Sequence, residues 1–156
     1  MRHSIRTGFS FGLTSGIITT LGVIVGLHSS THSGTLVIGG ILVIAVADAL
    51  SDAMGIHIAE ESSGHHSERE IWEATAATFL SKFVFALTFV IPIVLLPLST
   101  AIIVSVAWGL LLITVLSLFL ARMQAVRPTS TIVEHLAIAV VVIAATHYIG
   151  DWVNTL

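Results

Sequence analysis

The chain has 156 residues, of which 55% are hydrophobic and only 10% are charged. An average soluble domain carries about 25% charged residues, so this composition excludes both a soluble globular domain and a disordered chain. Six Lys and Arg against nine Asp and Glu give a net charge of -3, which excludes a nucleic-acid binder, and the absence of Cys excludes a disulfide framework or thiolate metal site.

Five stretches of the sequence are long and apolar enough to cross a bilayer, whose hydrocarbon core of about 30 Å needs roughly 20 residues of helix. They are Thr7–Leu27, Gly34–Ala59, Ile71–Leu96, Leu98–Ala121 and Ile132–Trp152. No cleavage site closes a short apolar core in the first stretch, so we expect it in the mature protein. Because the connections are short, the sequence predicts an all-α, multi-pass integral membrane protein with one transmembrane domain over residues 1–156.

The arginines predict the orientation of this domain. Arg2 and Arg6 precede the first span, Arg69 lies in the second connection, and Arg122 and Arg127 lie in the fourth. Arginine and lysine are enriched in cytoplasmic loops. We therefore expect a cytoplasmic N-terminus and an external C-terminus, in the plasma membrane if the source is prokaryotic.

The first span carries Gly8, Gly12 and Gly16, spaced four residues apart. Small residues at this spacing let two helix backbones approach closely. The pattern is compatible with packing inside the chain and with the interface of a homodimer. A homodimer would place these three glycines at its seam.

The second span contains two carboxylates, Asp48 and Asp52, on one helix face. A charge inside a bilayer is destabilising unless it is paired, hydrated or neutralised, so such a pair is typical of cation binding or proton transfer. Lys82 in the third span lies at a similar depth, and it is a candidate ion-pair partner for Asp52. Asp48 is deeper and has no evident basic partner in the sequence, which favours a functional role for it.

Polar residues of the first span lie at about the depth of these carboxylates. Counting about 1.5 Å per residue places Asp48 roughly 20 Å from the outer edge, and Ser15 and Thr19 fall in the same layer. Oxygen ligands at one depth suit a divalent cation, and Met54 adds a thioether nearby. The candidate transport site is therefore Asp48, Asp52, Ser15, Thr19 and Met54.

The connection after the second span is unusually acidic and rich in histidine. A cytoplasmic loop normally favours Lys and Arg, so this mixture suggests metal capture, although a solvated polar loop has the same composition. The candidate capture residues are Glu60, Glu61, His65, His66, Glu68, Glu70 and Glu73.

The strings GFSFGLTSGIITTLGVIVGL and VADALSDAMGIHIAEES resemble the first two helices of the vacuolar iron transporter family. The string EIWEATAATF at the third span and THYIG near the end of the fifth are similar to the corresponding parts of that family. The resemblance extends over almost the whole chain. The sequence departs from the family pattern at Thr14–Gly16, where Asn-Asp-Gly is expected, and at Asp52 and Ile56, where Met and Glu are expected. The cytoplasmic extension of the family is shortened to Glu60–Glu70.

This resemblance implies a homodimer that exports ferrous iron or manganese from the cytoplasm in exchange for protons, with the first helix at the dimer seam. The metal ion is then cargo, and no fixed cofactor is implied. In the family, acidic residues and Met on the first two helices bind the metal, which suggests that Asp48 and Asp52 have taken over the carboxylate function of the first helix.

Two other classes of protein remain open from the sequence. One is a non-transporting structural or regulatory membrane dimer. The other is a membrane protein that binds a cofactor through histidine, for example as haem ligands. An enzyme is not expected, because the sequence contains neither a nucleophile elbow nor an HExxH motif nor a phosphate-binding glycine loop.

Overall fold

A computed structural model describes residues 3–124 and 127–156, and all the regular structure in this part of the chain is helical. The helices are α1 (His3–Thr31), α2 (Gly34–Ser62), α3 (Glu68–Thr88), α4 (Val90–Leu95), α5 (Leu98–Gln124) and α6 (Pro128–Val153). Arg2, one of the five arginines in the orientation prediction, lies outside the described residues.

The five predicted spans are present, with α3 and α4 together forming the third, and each is long and apolar enough to cross a membrane. The helices extend beyond the apolar stretches: α1 and α2 have 29 residues each, or about 44 Å. Their ends pass beyond a core of about 30 Å, and local polar contacts fix these ends. The Ser33 side chain caps α2, and Ser67 and Glu70 form a capping box at the start of α3.

The third span, predicted over Ile71–Leu96, is interrupted at Phe89, three residues before Pro92. Pro92 has no backbone N–H, and its ring would collide with the carbonyl of Thr88 in a regular helix. The helix tightens there, and the Phe89 N–H donates instead to the carbonyl of Ala86 at 3.1 Å. Trp108 of α5 fixes the break from outside, because its Nε1 donates to Thr88 Oγ1 at 3.1 Å.

α1 is the most buried span and packs against α2, α3, α5 and α6. Its side chains Ile17, Leu21 and Ile24 are completely buried in the apolar core. Consecutive spans run in opposite directions. The Ser4 hydroxyl donates to Glu73 at 3.1 Å, which joins the start of α1 to the start of α3.

The glycines of the first span pack inside the chain, which is one of the two alternatives that their spacing allowed. A Cβ atom added at Gly8 would lie 2.1 Å from the carbonyl oxygen of Ala74, and one added at Gly12 would lie 2.4 Å from that of Thr78. A Cβ atom added at Gly16 would lie 2.9 Å from Cγ of the Lys82 side chain. The glycine ridge of α1 (Gly8, Gly12 and Gly16) is therefore filled by α3 of the same chain, and a second copy has no room to dock there.

Candidate functional site

A network of charged side chains joins three helices in the interior of the bundle. Lys82 of α3 is only 2% exposed. Its Nζ lies 2.6 Å from Asp48 Oδ2 and also pairs with Asp52 Oδ2, both on α2. It donates to Ser15 Oγ of α1 at 2.9 Å. The expected Asp52–Lys82 ion pair is present in the structure, and it is part of a larger set that we call the carboxylate–lysine network (Ser15, Asp48, Asp52 and Lys82).

Ser15 connects the two charges. Its hydroxyl donates to Asp52 Oδ2 at 2.6 Å while its oxygen accepts from Lys82. Thr19, one turn further along α1, donates to the backbone carbonyl of Ser15. Thr19 therefore bonds its own helix, and its hydroxyl proton is not directed at the carboxylates.

Asp48 also has a basic partner, contrary to the expectation from the sequence. Lys82 approaches Asp48 Oδ2 as an ion pair but without the geometry of a hydrogen bond. An ammonium group has three N–H donors, and the network supplies three oxygens around it. The depth counted from the sequence matched Lys82 with Asp52. It did not show that the same lysine also reaches Asp48, one helical turn away.

The packing of α1 against α3 explains why Lys82 stays buried and does not extend to the membrane surface. A Cβ atom at Gly16 would lie 2.9 Å from Lys82 Cγ and 3.2 Å from its Cα. The missing side chain thus makes room for the aliphatic stem of the lysine. Gly16 therefore has two effects. It allows α1 and α3 to approach closely, and it determines where the ammonium group of Lys82 lies.

The two carboxylates are not sealed off. The side chains of Asp48 and Asp52 are 28% and 21% exposed, whereas that of Lys82 is 2% exposed. The lysine thus approaches from the protein interior, and the opposite side of the carboxylate pair opens at the surface of α2.

Met54 lies apart from this network. Its side chain is 58% exposed on the outer surface of α2. Six residues of helix separate it from Asp48, which turns it to the other side of the helix axis. Met54 therefore does not contact the carboxylate–lysine network in this structure, and its role as a ligand stays a prediction.

The acidic connection does not assemble a metal site: within residues 3–124 and 127–156, no three His, Asp or Glu side chains meet in a way that would hold a metal ion. Its residues instead stabilise the helix ends. His66 pairs with Glu60 at 2.8 Å, Arg69 pairs with Glu73 at 3.0 Å, and Glu70 belongs to the capping box of α3. The remaining capture candidates, Glu61, His65 and Glu68, are exposed to solvent.

Histidines elsewhere join neighbouring helices, a role that the sequence did not reveal. His57 bonds Thr75 at 3.0 Å and packs edge-on against Trp72. His135 of α6 bonds the buried Ser117 of α5 at 2.8 Å. A hydroxyl residue at matching depth on an adjacent span is the only sequence signal for such pairs, and many spans contain several.

Neither the protein-family models nor the curated proteins include a match to this chain. The class of protein is therefore defined by the fold alone. The chain is an all-helical bundle of five apolar spans, compatible with a multi-pass integral membrane protein, with a carboxylate–lysine network inside it.

Proposed function

We propose that this protein is a divalent-cation transporter that exports Fe²⁺ or Mn²⁺ from the cytoplasm in exchange for protons. One observation carries the proposal: two aspartates of α2 share one buried ammonium of α3 at a depth where charged groups are costly. Asn or Ser at these positions would form hydrogen bonds with polar neighbours at a lower free-energy cost inside the bilayer. The resemblance of the first two helices to vacuolar iron transporters agrees with this chemistry.

The charges of the network suit a divalent cargo. Two ionised aspartates and one ammonium sum to -1, so the set retains attraction for a cation. Carboxylate oxygens are ligands that Mn²⁺ accepts readily, and Ser15 adds a further oxygen beside Asp52. When the cation leaves, the network with its ammonium keeps a charge of -1, and uptake of one proton by the carboxylates neutralises it, which provides for exchange.

Export requires the orientation that the arginines predict, with the N-terminus and the α2–α3 connection cytoplasmic. This orientation is tested with single cysteines introduced at His66 and Asn154 in a chain that has no native cysteine. Membrane-impermeant reagents should label the two positions from opposite faces of the membrane. Labelling of both from the same face would contradict the topology.

The homodimer also belongs to the proposal, with its seam moved from α1 to α2. Ala47, Ser51, Gly55 and Ala59 are spaced four residues apart and are all exposed. This small-residue stripe of α2 lies beside the open side of Asp48 and Asp52. A second copy packed there would cover the carboxylates from lipid and create a polar path between two chains.

The decisive experiment measures Mn²⁺ flux in proteoliposomes, with a pH-sensitive dye to follow proton counter-movement. Asp48→Asn keeps the size and one oxygen of the side chain but removes its charge, and it should abolish most flux while the protein still folds. The matched control is Asp151→Asn, the same change at an aspartate that is 54% exposed near the end of α6. This control should transport at the parental rate.

Full flux in Asp48→Asn would remove the carboxylate–lysine network from the mechanism. Absence of flux in the parent, with either ion and either direction of gradient, would favour a non-transporting structural or regulatory membrane dimer. Flux without proton movement would leave a cation transporter but exclude exchange.

A further inference from the structure

Lys82 has a role that neither the sequence pattern nor the family resemblance supplies. We infer that its ammonium is a tethered competitor of the cargo: it occupies the position between Asp48 and Asp52 that the transported cation must take, and so sets the affinity of the site. The inference rests on the proposed transport function. It makes Lys82 a specificity-determining residue that holds the carboxylates while no cation is bound.

The geometry supports substitution of one cation for another. Lys82 Nζ lies 2.6 Å from one carboxylate, pairs with the other and lies 2.9 Å from Ser15 Oγ. A metal ion that bridged the two Oδ2 oxygens of Asp48 and Asp52 would have to lie where this nitrogen lies. The two cations therefore exclude each other by position as well as by charge.

Charge leads to the same conclusion. With the ammonium in place the network sums to -1, and adding a divalent cation would make it +1 inside the membrane. With the ammonium withdrawn the carboxylates sum to -2, and a divalent cation neutralises them completely. The neutral arrangement is the one that a low-dielectric environment favours, so binding of the cargo and withdrawal of Lys82 are coupled.

A purely structural ion pair would have different consequences. In that case Lys82 stabilises the fold, and its removal weakens the protein without improving cation binding. A tethered competitor makes the opposite prediction for binding: removal of the ammonium strengthens it. Measuring the Kd for the cation with and without the ammonium distinguishes the two roles, so no transport assay is needed.

The test is Mn²⁺ binding to purified protein in detergent, measured from the electron paramagnetic resonance signal of free Mn²⁺. Lys82→Met keeps most of the aliphatic stem and removes the charge. Its Kd should be lower than that of the parent by about tenfold or more, because a unit charge within a few ångströms is removed. Lys82→Arg keeps the charge and should gain no affinity.

A charge-matched pair of variants keeps the test decisive if Lys82→Met folds poorly. Asp52→Asn/Lys82→Met carries one carboxylate and no ammonium, so its network sums to -1, as in the parent. Asp52→Asn alone sums to 0. The double variant should bind Mn²⁺ about tenfold more tightly than Asp52→Asn and at least as tightly as the parent.

Equal or weaker binding after removal of Lys82 in both backgrounds would overturn the inference, while parental flux would leave the proposed transport function intact. If the folded parent and every folded variant fail to bind Mn²⁺ and the parent shows no flux, both the inference and the proposed function are wrong. Tighter binding in both backgrounds supports the competitor role.

Discussion

Two stripes of small residues in this protein have the same spacing and opposite surroundings. On α1, Gly8, Gly12 and Gly16 recur every four residues, and a Cβ atom added at any of them would collide with α3. On α2, the small-residue stripe Ala47, Ser51, Gly55 and Ala59 recurs at the same interval and is exposed throughout. A Cβ atom at Gly55 would meet nothing within 4 Å.

The difference follows from the helix that lies opposite each stripe. α3 presents Ala74, Thr78 and Lys82 to α1, again four residues apart, so two narrow faces meet along several turns. The Thr78 hydroxyl also donates to the carbonyl of Gly8 at 3.2 Å. Among residues 3–124 and 127–156, no helix covers the stripe of α2 in this way. Small-residue spacing thus predicts a close approach but does not identify the partner helix.

The largest effect is expected from filling the α1 ridge. Gly12→Leu would place a Cβ atom 2.4 Å from both Ser81 Oγ and the Thr78 carbonyl oxygen. Overpacking usually costs about 1–3 kcal/mol, and a collision with backbone exceeds that range, so we expect little monodisperse protein in gel filtration. Gly39→Leu, where a Cβ atom meets nothing within 4 Å, is the control and should behave as the parent. Normal yield and melting of Gly12→Leu would contradict the α1–α3 packing.

A smaller effect is expected at Gly16, where the obstacle is a side chain. Gly16→Ala places its methyl group 2.9 Å from Lys82 Cγ, so the lysine must shift, at a cost within the range of about 1–3 kcal/mol. If Lys82 competes with the cargo, displacing it also lowers the Kd for Mn²⁺. Gly22→Ala is the matched control, since its methyl group would lie 3.1 Å from Val142 Cγ1, away from the network. Identical Mn²⁺ affinities in the two variants would show that the glycine ridge of α1 does not influence cation binding at the carboxylate–lysine network.

Thr78→Val tests the hydrogen bond between the two narrow faces with almost no change in shape. The variant loses a donor whose single proton is shared between the Ala74 carbonyl of α3 at 2.9 Å and the Gly8 carbonyl of α1 at 3.2 Å, and interhelical hydrogen bonds in membrane proteins average about 0.6 kcal/mol. A denaturant titration in mixed micelles should show a loss of that order. A loss beyond about 2 kcal/mol would show that the hydroxyl does more than join α1 to α3.

The smallest effect on folding is expected on the open stripe of α2. A Cβ atom at Gly55 meets nothing within 4 Å among the described residues, so Gly55→Leu should change the stability by no more than about 0.5 kcal/mol. The same substitution should weaken the dimer proposed at this stripe, as measured by native mass spectrometry from detergent. An unchanged mass distribution would place the dimer seam elsewhere, and loss of the folded monomer would show that α2 packs differently.

The sequence by itself determined the parts of this protein that depend on local chemistry. Apolar length defines the five spans, while the side-chain caps that start α2 at Ser33 and α3 at Ser67 are seen only in the structure. Depth counted along the helices was enough to match Lys82 with Asp52. The spans and the depths follow from the rise per residue and the hydrocarbon thickness.

Only the tertiary structure decided how the helices are rotated about their axes and which faces meet. That rotation fills the glycine ridge of α1 with α3 and brings Lys82 to Asp48 as well as Asp52. Lipid tails are as apolar as leucine, so the hydrophobic effect does not distinguish one apolar helix face from another inside a bilayer. The choice depends on close packing and a few polar contacts, which exist only once three helices have come together.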